Sequence, residues 1–111
     1  MHINQKDTYT ILGDEQDDVI AFASYVTHIV EKFRSEEHLI IDLLKYNALT
    51  LDELLHFLMV NNSQRGAKKS FVIVNKGINY DLVPDEMIVV PTIQEAIDLL
   101  EMEAIERDLG F

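Results

Sequence analysis

Two short runs in the sequence are apolar at successive positions: Leu39-Ile40-Ile41, carried past Asp42 by Leu43-Leu44, and Phe71-Val72-Ile73-Val74. A strand with one face in water alternates polar and apolar residues, so a strand apolar on both faces must be covered on both. Between the two runs lies a helical pattern. It opens with Thr50-Leu51-Asp52-Glu53, a capping box in which Thr50 caps the helix start and Glu53 reaches back, and its stripe is Leu51, Leu54, Leu55 and Leu58. Strand, helix and strand in that order make a βαβ unit, and hence a parallel sheet with right-handed crossovers. Asp42 belongs at the C-terminal end of its strand, where a carboxylate finds donors or water.

The remaining segments fit the same plan. Tyr9 to Leu12 reads as a strand stopped by Gly13-Asp14, and His2 to Lys6 as its hairpin partner. Asp17 or Asp18 caps a helix of about seventeen residues. Its stripe is Val19, Phe22, Ala23, Val26, Ile29, Val30 and Phe33. The second helix is expected to fade at Asn61-Asn62, leaving Gly66 in a polar connector. Residues 75–86 read as loop with at most one helical turn, and Met87 to Val90 as a strand stopped by Pro91. Thr92 caps the last helix, with Glu95 completing a second capping box. Ile93, Ala96, Ile97, Leu100 and Ala104 form one stripe of that helix; Leu99, Met102 and Ile105 form another, so it is expected to touch more than one neighbour. Gly110 ends it, and Phe111 is expected to fold back onto the domain. No repeat or linker divides the chain, which reads as one domain over residues 1–111.

Composition removes several function classes. Nine Lys and Arg stand against 20 Asp and Glu, for a net charge of −11, which disfavours nucleic acid as a partner because phosphate contacts need positive charge. Hydrophobic residues at 48% exclude intrinsic disorder. With no Cys, thiolate metal sites, disulfides and a catalytic thiol are excluded. No signal-peptide pattern follows Met1 and no apolar run approaches a membrane span, so the expectation is a cytoplasmic chain without a membrane partner. His2, His28, His38 and His56 show no metal-ligand spacing. No Gly-x-Ser-x-Gly elbow occurs, and glycines at only 13, 66, 77 and 110 leave no phosphate loop or dinucleotide fingerprint. The reading is of a non-enzyme with no metal and no cofactor.

Charge is unevenly placed. Leu54 to Tyr80 contains no Asp or Glu but holds Arg65, Lys68, Lys69 and Lys76, so all 20 carboxylates lie elsewhere. Lys68, Lys69 and Lys76 are candidates for binding an anion; the plainer alternative is that they balance neighbouring carboxylates. Glu95, Asp98, Glu101, Glu103, Glu106 and Asp108 read as the solvated face of the last helix, or as a surface for a basic partner.

The run Leu39 to Leu43, a short loop and the capped helix Thr50-Leu51-Asp52-Glu53-Leu54-Leu55 resemble the STAS domain, the family of the anti-sigma-factor antagonists and of the cytoplasmic tails of sulfate transporters. The resemblance spans essentially the whole chain in element order. It implies an α/β, STAS-like (SpoIIAA-like) right-handed βα superhelix, a mostly parallel sheet with an N-terminal hairpin. Ile97 to Phe111 is also similar to small bacterial chains of this type that sometimes carry a ribonuclease Z label, an activity for which this chain has no metal motif. In the antagonists, the loop before the helix runs Asp-Ser-Ser-Gly, and a serine there is phosphorylated by the partner kinase. Counting from Asp42, Thr50 falls on that Asp, while Leu51 and Asp52 replace the serines, so the phosphoacceptor is missing unless Thr50 serves. Asp52 either fixes a charge where phosphate would place one, or belongs to a helix cap with no switch. The family's helix between its last two parallel strands is reduced here to residues 75–86, a departure from the standard kinase interface. The resemblance implies a regulatory module, monomer or weak homodimer, that binds a protein partner. The surface expected to do so is Tyr46, Asn47, Thr50, Asp52 and Glu53. The alternatives are a module for a small anion or nucleotide, or an accessory to a ribonuclease Z-type hydrolase.

Overall fold

The computed structural model describes residues 1–110; the expectation for Phe111 lies outside them. Five strands form one sheet in sequential order: β1 (His2–Gln5), β2 (Thr10–Gly13), β3 (Leu39–Asp42), β4 (Phe71–Val74) and β5 (Val89–Val90). β1 pairs antiparallel with β2, and every other pairing is parallel. The helices are α1 (Val19–Ile29), α2 (Leu51–Leu55), α3 (Leu58–Gly66) and α4 (Ile93–Asp108).

The register explains the doubly apolar runs. Leu39 and Ile41 lie opposite Phe71 and Ile73 and join Leu12, Val26, Leu54 and Phe57 in the larger core under α1 to α3. Ile40, Val72 and Val74 face the other way, against Ala96 and Leu100 of α4. Phe22 meets Phe57 edge to face, centroids 6.2 Å apart, where α1 crosses the α2–α3 segment. Asp42 closes β3, its Oδ1 accepting from the Leu44 amide at 3.0 Å.

Several expectations are corrected. Asp18 caps α1 by accepting from the Ala21 amide at 3.0 Å, but from Val30 to Arg34 the helix widens into a π turn. The wider i→i+5 turn changes the rotation per residue about the axis, and within it Phe33 leaves the buried stripe and stands 74% exposed. The second helix breaks at His56-Phe57 and then continues to Gly66 instead of fading at Asn61. The break swings Phe57 inward and leaves Leu55 exposed. Asn61 and Gln64 are polar yet buried, because Asn61 donates to the Glu86 carbonyl and Gln64 to the Glu37 carbonyl, each at 3.0 Å. β5 is only Val89–Val90, since Met87 is held in a turn by the Pro84 carbonyl. At Thr92 the hydroxyl accepts from the Glu95 amide at 3.1 Å without the reciprocal half of a capping box. α4 touches β3, β4 and β5 as expected, and Leu99 of its second stripe packs against the core, but Met102 and Ile105 of that stripe are exposed. Glu103 is not on a solvated face but half-buried, 3.1 Å from Arg65.

Candidate functional site

The C-terminal ends of β2, β3, β4 and β5 deliver four connections to one end of the sheet, the position where open α/β sheets place their sites. One side chain organises this end. Asn75, directly after β4, is fully buried. Its Nδ2 donates to the carbonyls of Leu43 (2.9 Å) and Tyr46 (2.8 Å), and its Oδ1 accepts from the amides of Gly77 and Ile78, both at 3.0 Å. Its own amide donates to the Val90 carbonyl at 3.0 Å, and its carbonyl accepts from the Tyr80 hydroxyl. The loops after β3 and β4 are thereby joined to each other and to β5. Gly77 completes the contact, because a Cβ there would lie 1.9 Å from the Asn47 carbonyl oxygen.

Tyr46 anchors the other side of the loop. Its hydroxyl donates to Asp14 and lies 3.2 Å from the Gln16 carbonyl. Burial first, then the hydrogen bond to Asp14 and the nearby Asp charges, push its pKa well above the usual phenol value. Lys45 pairs with Asp17 at 3.0 Å and lies over the Tyr46 ring, 5.8 Å from its centroid. Asn47, Thr50 and Asp52 stay exposed on the loop so held, with Glu53 half-covered. Both halves of the capping box at α2 are present: the Thr50 hydroxyl accepts from the Glu53 amide at 3.1 Å, and Glu53 Oε1 accepts from the Thr50 amide at 2.9 Å.

The structure therefore places Tyr46, Asn47, Thr50, Asp52 and Glu53 along the loop after β3 and the first turn of α2, with the charges of Asp14, Asp17 and Asp18 near Tyr46. It does not bring the candidate lysines together. Lys76 follows Asn75 at this end, whereas Lys68 and Lys69 precede β4, so the length of that strand separates them. Sequence reasoning missed Asn75. Its signal is the Asn-x-Gly at the end of an apolar strand, since Asn side chains bond the backbone two residues on. Among the described residues no three His, Asp or Glu side chains converge as metal ligands.

A mixed sheet with an antiparallel edge hairpin, α1 to α3 on one face and α4 on the other, is the STAS fold. The chain matches a solved serine-to-glutamate variant of RsbS from Moorella thermoacetica with a TM-score of 0.62, covering 93% of this chain and 96% of that one at 21% identity. The likeness is one of fold. No family model matches the sequence, and no curated protein is significantly similar to it.

Proposed function

We propose that the chain is a non-enzymatic regulatory module of the anti-sigma-factor-antagonist kind, docking a protein partner through Tyr46, Asn47, Thr50, Asp52 and Glu53. The observation that carries this reading is that Asn75 and Gly77 hold the backbone at Leu43, Tyr46 and Asn47, in the loop that leads to exposed Thr50 and Asp52. A preset surface loses little freedom on docking. Its charge selects a basic partner surface. RsbS was solved with glutamate in place of a serine; here Asp52 and Glu53 supply carboxylates at the helix start without modification. The Thr50 hydroxyl is committed to the cap, and a phosphate on it would stand against Glu53. In this reading Thr50 caps and does not switch. The domain works as a monomer or weak homodimer in the cytoplasm; among the described residues no helix is long and apolar enough to cross a membrane.

An anion or nucleotide at α2 fits less well. Thr50 already occupies the Glu53 amide, Asp52 and Glu53 repel an anion, and Lys68 and Lys69 lie at the far end of the sheet.

The test immobilises the full chain and compares proteins retained from the native cell by wild type and by Asp52→Lys. The expected result is a partner retained by wild type and reduced about tenfold or more by the charge reversal, as loss of about 1.4 kcal/mol requires. A partner profile unchanged by Asp52→Lys would contradict the assignment of this face.

A further inference from the structure

The opposite end of the sheet is built differently. α4 packs over β3, β4 and β5, which leaves a groove of about 510 Å³ between its C-terminal half and the start of β2. Tyr9, Ile97, Leu100, Ala104 and Ile105 wall the groove, and its polar lining is Thr8, His38, Glu101 and Arg107. Arg107 is shared with an adjoining cavity of about 360 Å³ that Arg65, Lys68 and Lys69 also line. An apolar groove in the range of about 300–1,000 Å³ with a few converging polar groups is the usual form of a small-molecule site.

We propose that this groove binds a single-chain amphiphile with a carboxylate head, its chain against Tyr9, Leu100, Ala104 and Ile105 and its head at Arg107 and Lys69. Charge complementarity selects the head. Lys68 and Lys69 make no ion pair among the described residues. Arg107 donates from Nη1 to Ser70 Oγ at 3.2 Å, leaving the rest of its planar donor fork for a carboxylate. Arg65 is already occupied by Glu103 and by the Phe71 carbonyl. His38 adds a neutral donor: its Nδ1 accepts from the Ser70 amide at 2.9 Å, which places the ring proton on Nε2. Burial first, then Arg107 and Lys69, hold its pKa below the usual imidazole value, against an opposing effect of Glu103. Glu101 lines the groove, and Glu106 lines the adjoining cavity together with the Arg65-paired Glu103; the negative charges of Glu101 and Glu106 favour a singly charged head over a doubly charged phosphate.

The probe is dodecanoate below its micelle concentration, titrated calorimetrically into the full chain. Dodecyltrimethylammonium, with the same chain and the opposite head, is the comparison; net charge alone favours it on a protein carrying −11. The expected result is saturable one-to-one binding of dodecanoate, about tenfold or more tighter than the cationic amphiphile. From octanoate upward, affinity rises by up to about fourfold per methylene. Ala104→Trp, at an exposed position, fills the groove and abolishes binding. Arg107→Gln and Lys69→Gln each weaken it about tenfold, with melting curves showing both variants folded. Asp52→Lys, at the other end of the sheet, leaves it unchanged, which separates this site from the docking face. Unsaturable uptake, equal or tighter binding of the cationic amphiphile, insensitivity to Ala104→Trp, or binding to phosphatidylglycerol vesicles without binding of free dodecanoate would each overturn the proposal.

Discussion

Asn75 bonds through both ends of its amide with no exposure to water. Asn75→Ala strands two carbonyls and two amides in a dry site, so we expect urea unfolding to show a loss of about 3 kcal/mol or more. A loss below about 1 kcal/mol would mean that water replaces the side chain. Gly77→Ala tests the same junction from the other loop: its Cβ meets backbone, which cannot rotate away, and a cost of about 1–3 kcal/mol is expected. His38 sets a pH response. Its folded-state pKa is lowered, so between its unfolded value, about 6.5, and the lower folded value the unfolded chain binds a proton that the native chain refuses. Stability therefore falls as pH drops through that window and is unaffected by this group above it. His38→Gln should flatten that part of the pH–stability curve; an unchanged slope would place the response on other groups.

At the scale of elements, α2 is five residues long and depends on its cap. Thr50→Ala should cost about 0.5–2 kcal/mol, with Thr50→Asn close to wild type. A stable Thr50→Asn that abolishes partner exchange in cells would show that the hydroxyl is a phosphorylation switch and not only a cap. The two phenylalanines of the α1 pattern should separate sharply. Phe22→Ala is expected to cost about 3–5 kcal/mol, whereas Phe33→Ser should stay within about 0.5 kcal/mol, because the π turn has carried Phe33 into water. Lys68, two residues past the end of α3, has φ of 63°, left-handed backbone that glycine adopts without strain, so Lys68→Gly should gain about 1 kcal/mol. These cases mark what was legible in the sequence. β3 and β4 could be read from composition alone, because burial on both faces leaves no alternation. The caps of α1 and α2 could be read because Asp18 and Thr50 bond only within the next turn. The π turn, the break at Phe57 and the burial of Asn61 and Gln64 could not be, since each is decided by carbonyls and side chains distant in sequence. The proposed docking residues Tyr46, Asn47, Thr50, Asp52 and Glu53 were legible as a loop and cap, but not what holds the loop: Asn75 lies 29 positions beyond Tyr46.

For the whole molecule, the sheet separates two surfaces of unlike chemistry. The C-terminal ends of its strands carry a backbone-stapled loop with exposed Asp17 and Asp52; the other end carries an apolar groove with Arg107 and Glu101 in its lining, beside a cavity of mixed charge. The fold, shared with RsbS at 21% identity, leaves the use of each end to its own side chains. The central claim, that this chain works by docking a protein at the acidic end, is tested most directly by amide hydrogen exchange on the complex with the captured partner. New protection is expected in residues 14–18, 43–53 and 75–80, with residues 97–107 of α4 unchanged. Protection confined to α4, with residues 43–53 exchanging as in the free chain, would contradict it.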